Sequence, residues 1–155
     1  MPKQQSITIW SHPTWNLFHT LAEKIKPEHF PQVKKRLFWT VGNICYTLPC
    51  PECRKHATEF NKKVNYKNIK TKEQFKYMLF VFHNTVNQNL GKKIFNEEDL
   101  VARYSKERVG AAMHAFLRSY NMNTRIRSDM HNSMARNMVT KQLISWFKKN
   151  INKFS

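Results

Sequence analysis

Leu48-Pro49-Cys50-Pro51-Glu52-Cys53 decides how this chain is read. Before it, Val33, Leu37, Val41, Ile44 and Leu48 recur at three- and four-residue steps, the period of a helix with one buried face. Pro49 stops that helix, because a proline lacks the amide hydrogen that a helix interior needs. The cysteine pair then opens a third helix, in which Ala57, Phe60 and Val64 mark the buried side. Two cysteines three positions apart at a helix start can close a small ring and cycle between dithiol and disulfide with little backbone movement. A thiol there also feels the partial positive charge of the helix N-terminus, which favours the reactive thiolate.

The same periodicity extends in both directions. Thr14, Leu17, Leu21 and Ile25 predict a first helix that begins at Pro13 and is ended by Pro27. Thr71-Lys72-Glu73-Gln74 has the form of a capping box and starts a fourth helix, with Phe75, Leu79, Phe82, Val86 and Leu90 inward and Gly91 as its stop. His83 and Asn87, four apart on that helix, share one face and can touch one bound object. Asn96 with Asp99 caps a short fifth helix carrying Leu100, Val101 and Tyr104. Beyond it, Val109, Met113, Phe116 and Tyr120 predict another helix, Asn121-Met122-Asn123 a break, and Val139, Leu143, Phe147 and Ile151 a final amphipathic helix. The division expected is a domain over 1–104 and a basic helical extension over 105–155.

Composition agrees with an all-α chain. In 155 residues, 41% are hydrophobic and 13% aromatic, with only three glycines, too few for a turn-rich β fold. One core fits this length. No run of eighteen apolar residues is present and Met1 to Ser6 lacks the apolar segment of a secretory signal, so neither a membrane span nor export is expected. The formal charge of +17, spread over both parts of the chain, would draw an anionic partner or merely keep the surface solvated.

Three readings compete for the cysteine pair. Zinc needs about four ligands, and Cys50, Cys53 and His56 with Cys45 or His83 supply them on paper, but no second pair at finger spacing exists. A thioredoxin-like site sits between strand and helix, and no β-α alternation is seen. The third reading is an all-helical redox site that hands electrons to a flat cofactor against Trp15, His19, His83 and Asn87. Cys45, among Ile44, Tyr46 and Leu48, reads as an inert buried thiol. Trp15 and Phe95 also fit a plain core role, His83 a satisfied core histidine and His56 a solvated side chain.

Thr14 to Ala22, Leu48 to Cys53 and Phe82 to Lys92 together resemble the three signatures of the FAD-dependent sulfhydryl oxidases of the Erv and augmenter-of-liver-regeneration type. They stand in the family's order, over about residues 10 to 104, and three linked motifs are far more specific than one. Leu48 to Thr58 is most similar to the small members encoded by large cytoplasmic DNA viruses. The resemblance implies a four-helix bundle with a short fifth helix across it, FAD held at the bundle mouth, and a homodimer. It implies that Cys53 lies nearest the flavin and that Cys50 exchanges with a substrate dithiol, electrons passing to oxygen to give hydrogen peroxide. It further implies that Trp15, His19, His83 and Asn87 flank the cofactor, with His56, Asn84, Leu90, Lys92, Phe95 and Tyr104 around them. Lys92 and Lys93 are placed to neutralise the pyrophosphate; no metal is implied.

The chain also departs from that family. Cellular members carry a shuttle cysteine pair outside the core, and here only Cys45 remains. The substrate is therefore a protein dithiol that reaches Cys50 directly, or the shuttle is a separate small thiol protein. If the source is viral, the place expected is the host cytoplasm and the virion. Arg108, Arg118, Arg125, Arg127, Arg136 and Lys148-Lys149 lie beyond the matched region, where they can meet an acidic partner, line a dimer interface or pack. The rival class is a basic helical nucleic-acid-binding module whose cysteine pair is incidental or holds zinc, although no binding signature is present and the aromatics fall on buried stripes.

Overall fold

The apolar periodicities become seven α-helices among the described residues of the computed structural model, which describes residues 3–121 and 130–155. These are α1 (Lys3–Lys24), α2 (Phe30–Tyr46), α3 (Pro51–Lys63), α4 (Lys72–Asn89), α5 (Glu97–Tyr104), α6 (Val109–Tyr120) and α7 (Met130–Asn150). No strand occurs among the described residues; a single antiparallel bridge, Ile25 to Phe154, ties the end of α1 to the C-terminus. The all-α expectation is met. α1 packs against α4, α5 and α6, while α2 packs against α3 and α7.

The capping box and the glycine stop of α4 have the forms their chemistry predicts, and the cap of α5 does not. Thr71 accepts from the Gln74 amide at 3.2 Å while the Gln74 side chain accepts from the Thr71 amide at 3.1 Å, so two orphan donors of α4 are satisfied reciprocally. Gly91 follows α4 with φ +68°, a left-handed conformation that a side chain would strain. Asn96 occupies the N-cap of α5, yet its side chain makes no capping hydrogen bond.

Several expectations are corrected. α1 starts not at Pro13 but ten residues earlier, with Pro13 inside it. One missing amide hydrogen is tolerated because Trp10, 7% exposed, continues the buried stripe of Thr14, Leu17 and Leu21. α2 ends at Tyr46, and Leu48, still buried, lies in the linker, since the residue before a proline avoids helical backbone. Leu90, Val101 and Ile151 are about half exposed; in the last turn Phe154 takes the core position expected of Ile151. Met122, Asn123, Arg125 and Arg127 lie outside the described residues.

Residues after Tyr104 share the core with those before it. Val109, Met113, Phe116 and Tyr120 of α6 and Val139, Leu143 and Phe147 of α7 join one cluster with Leu17, Phe18, Ile25 and Phe30. Phe116 has no exposed surface and stacks on Tyr120 with ring centres 4.8 Å apart. Truncating a buried phenylalanine costs about 3–5 kcal/mol, roughly 10 °C in Tm for a chain of this size. Phe116→Ala is therefore expected to lower Tm by about 10 °C in one transition, seen together by circular dichroism and tryptophan fluorescence. Two separate transitions would show that the C-terminal helices form their own core.

Candidate functional site

Pro49 and Pro51 bracket Cys50 and decide its backbone. A residue before proline is held extended, and Cys50 has φ −114° and ψ 117°, the N-cap of α3. Its Sγ accepts from the Cys53 amide at 3.2 Å, a cysteine sulfur standing where serine or aspartate usually caps a helix. Cys50 and Cys53 form a disulfide, with Cα atoms 5.2 Å apart. Both sulfurs are half-buried and open onto a cavity of about 340 Å³ lined by residues of α1 to α5.

The far wall of that cavity is aromatic. Trp15 of α1 and His83 of α4 lie face to face, ring centres 4.0 Å apart and planes 5° from parallel. His19 stacks on His83 at 5.1 Å and on Tyr104 of α5 at 4.8 Å, and Phe95 meets His83 edge-on at 4.5 Å. His19 Nε2 and His83 Nδ1 are 2.9 Å apart, so one ring donates its N–H to the other. That bond requires an unprotonated acceptor nitrogen. Burial drives the His19 pKa down to about 3, assisted by Arg103, and burial followed by the neighbouring His19 drives His83 down to about 2. The wall is therefore neutral at physiological pH.

The side chains named from sequence separate into three groups. Trp15, His83, Asn87, Phe95 and Tyr104 line the cavity together with Cys50 and Cys53, and Lys92, Lys93, Leu90 and His56 stand at its exposed rim. His19 lies one layer behind, supporting His83. Asn84 does not line the cavity: its amide donates to the Phe95 carbonyl at 3.0 Å and its oxygen accepts from the Phe95 amide at 3.2 Å. With the Asn87 amide donating to the Lys93 carbonyl at 3.3 Å, these bonds pin the loop after α4 across the opening. His56 is half exposed and its Nε2 lies 4.0 Å from Glu52 Oε1, a contact too open to carry much energy. Cys45, 2% exposed, has its pKa raised to about 12 by burial and stays a thiol. Among the described residues no three His, Cys, Asp or Glu side chains gather as metal ligands.

Sequence reasoning missed Trp10, His12 and Arg103, which also line the cavity. Starting α1 at Pro13 hid the first two, although Trp10 and Thr14 are one turn apart and Thr14 Oγ1 donates to the Trp10 carbonyl at 2.6 Å. Arg103, whose guanidinium lies 5.3 Å from the Tyr104 ring centre, gave no periodic signal. Flat neutral rings inside, a disulfide on one wall and Lys92, Lys93 and Arg103 at the rim fit a planar, anionic ligand able to exchange electrons with sulfur.

The histidine pair makes stability depend on pH with a definite sign. Both folded pKa values lie below the ordinary 6.5, so the unfolded chain takes up protons that the folded one refuses. This contribution is complete above pH 6.5 and is lost as pH falls toward about 3. The fall in Tm between about pH 7 and pH 4 is expected to be smaller in the double variant His19→Gln, His83→Asn than in the unaltered chain. Equal falls in both, measured calorimetrically, would mean that the pair does not govern acid stability.

Comparison with known proteins matches residues 12–109 to the Erv1 / Alr family. The chain is 34% identical over 93 residues to the FAD-linked sulfhydryl oxidase ERV1 of Arabidopsis thaliana, covering 60% of this chain and 48% of that protein. It is 32% identical over 87 residues to the FAD-linked sulfhydryl oxidase of African swine fever virus (isolate Warthog/Namibia/Wart80/1980), covering 56% of this chain and 72% of the viral one. A putative FAD-linked sulfhydryl oxidase, 347L of Invertebrate iridescent virus 6, is 28% identical over 95 residues, which is 57% of this chain and 86% of that protein. The match spans about half the length of the plant relatives. With the thiol pair, the aromatic wall and the pinned loop all inside the matched span, the chain belongs to the Erv1 / Alr family.

Proposed function

We propose that this chain is a FAD-dependent thiol oxidase that makes disulfides in a protein dithiol. The observation that carries the reading is that the Cys50–Cys53 disulfide and the Trp15–His83 stack open onto the same cavity. The relatives named FAD-linked sulfhydryl oxidases support it. A bound flavin would supply two-electron acceptance from the reduced pair and delivery to oxygen as hydrogen peroxide.

The chain's own residues do the rest. A substrate thiolate attacks Cys50 Sγ, the Cys50–Cys53 bond breaks, and Cys53 leaves as the thiolate. The second substrate thiol, deprotonated, attacks the substrate sulfur of the mixed disulfide and expels Cys50 as a thiolate at the N-terminus of α3, where the helix favours the charge. The substrate has lost two electrons and two protons, and the pair holds the electrons next to the cavity. Trp15, His83 and Asn87 would flank the flavin, with Phe95 and Tyr104 closing the pocket and Leu90 and His56 at its mouth. Lys92 and Lys93 would offset the pyrophosphate charge. His19 acts through His83, and Asn84 through Phe95.

Residues 1–104 would carry this chemistry, completed by the helices of 105–155. The substrate is a protein dithiol or a separate small thiol shuttle protein, since Cys45 is buried and protonated. A homodimer, an anionic partner for the basic surface, and work in a host cytoplasm or virion belong to the same proposal. Among the described residues no helix is long and apolar enough to cross a membrane.

The purified chain is expected to be yellow and to consume oxygen with dithiothreitol, one hydrogen peroxide per disulfide formed. Cys50→Ser and Cys53→Ser should keep the colour and lose turnover by at least about a thousandfold, since the two sulfurs act as a unit. A colourless protein, or turnover surviving both substitutions, would overturn the oxidase reading.

A further inference from the structure

In the linker between α2 and α3, the Thr47 and Leu48 carbonyls take their hydrogen bonds from side chains. Two arginines supply donors from opposite sides. Arg54 Nη1 of α3 donates to the Leu48 carbonyl at 2.6 Å, and Arg136 Nη1 of α7 donates to the Thr47 carbonyl at 3.3 Å. Arg136 is fully buried, 89 residues along the chain from its acceptor. Tyr120, at the end of α6 and 1% exposed, reaches the same residue: its hydroxyl bonds Thr47 Oγ1. Thr47 Oγ1 spends its own proton on the Asn43 carbonyl at 2.8 Å, so the tyrosine is the donor. Burial raises the Tyr120 pKa to about 12, which keeps that proton in place.

The arrangement fixes the position of the linker as well as adding to stability. A buried charge costs several kcal/mol to desolvate, and well-packed apolar residues often replace one without loss. Arg136 and Tyr120 both come from outside residues 12–109, where the family match ends. Both act on the residue three before Cys50, at the start of the linker whose other end is the redox sulfur.

We propose that Arg136 and Tyr120 are positioning residues for the thiol site, holding the Thr47–Cys50 linker so that Cys50 stays within bonding reach of Cys53. The inference rests on the redox role proposed for that pair. A held linker keeps the two thiols close once reduced, which raises their effective concentration for each other and favours the disulfide. Releasing it makes the pair easier to reduce.

The test measures the equilibrium of Cys50–Cys53 with reduced and oxidised dithiothreitol, by alkylation and mass spectrometry of the full chain. That readout needs neither bound flavin nor oxygen, so a colourless, inactive protein would sink the oxidase reading and leave this measurement standing. Arg136→Met is expected to shift the equilibrium toward the dithiol by about tenfold, about 30 mV. Arg136→Lys, which keeps a donor but not the planar fork, should fall between, and Tyr120→Phe should shift it about threefold in the same direction. A folded Arg136→Met with the equilibrium within twofold of the unaltered chain, or shifted toward disulfide, overturns the proposal. Should that variant fail to fold, Tyr120→Phe decides alone, because it removes one oxygen atom: an equilibrium unchanged by it overturns the proposal equally.

Discussion

Two prolines around one cysteine set the constraint on which the site depends. Pro49 and Pro51 deny Leu48 and Cys50 helical backbone, so α2 must end and α3 must begin within a few residues, with Cys50 extended between them. The sulfur of Cys50 then becomes the cap of α3 and is held against the Cys53 amide. A helix start is both the geometry that closes a two-residue ring and the field that favours its thiolate, so one backbone decision supplies both. α3 packs on α2, which leaves its first turn facing the cavity between α1 and α4.

The opposite wall answers a different demand. A cavity that accepts a flat ligand must offer flat surfaces without a buried charge, and histidine meets this only while neutral. The His19–His83 bond and the stacking of Trp15 and Tyr104 on either side exclude the water that would solvate the protonated rings. Positive charge is kept at the rim, on Lys92, Lys93 and Arg103, where solvent screens it and an anionic group can be met.

What could be read from sequence was local. The capping box Thr71–Gln74, the stop at Gly91 and the opening of α3 at the cysteine pair are each written within a few residues, and each has the expected form. His83 and Asn87 share a face because helical spacing requires it. The misreadings arose where distant contacts outweigh local preference. Burial of Trp10 carries α1 through Pro13, and Asn84, one residue from His83, faces the Phe95 backbone because the loop after α4 folds back on it. Sequence leaves Arg136, with its basic neighbours, open to an acidic partner, a dimer interface or packing, and only the placement of α7 on α2 shows that it is buried.

Three cysteines within nine positions raise the problem of the wrong disulfide, and burial resolves it. Cys45 borders the same cavity as Cys50 and Cys53, yet it sits on the inner face of α2, 2% exposed. Exchange requires a thiolate, and burial, by raising the Cys45 pKa to about 12, keeps it a thiol at neutral pH. Its intrinsic nucleophilicity cannot recover that loss, because reactivity rises only as roughly the half power of basicity. Cys50 stands in a different environment, at a helix N-terminus and in partial contact with solvent. The pairing of Cys50 with Cys53 is thus protected by a difference in environment between adjacent elements, and a polar residue that hydrated the Cys45 side of α2 would remove that protection without touching the pair.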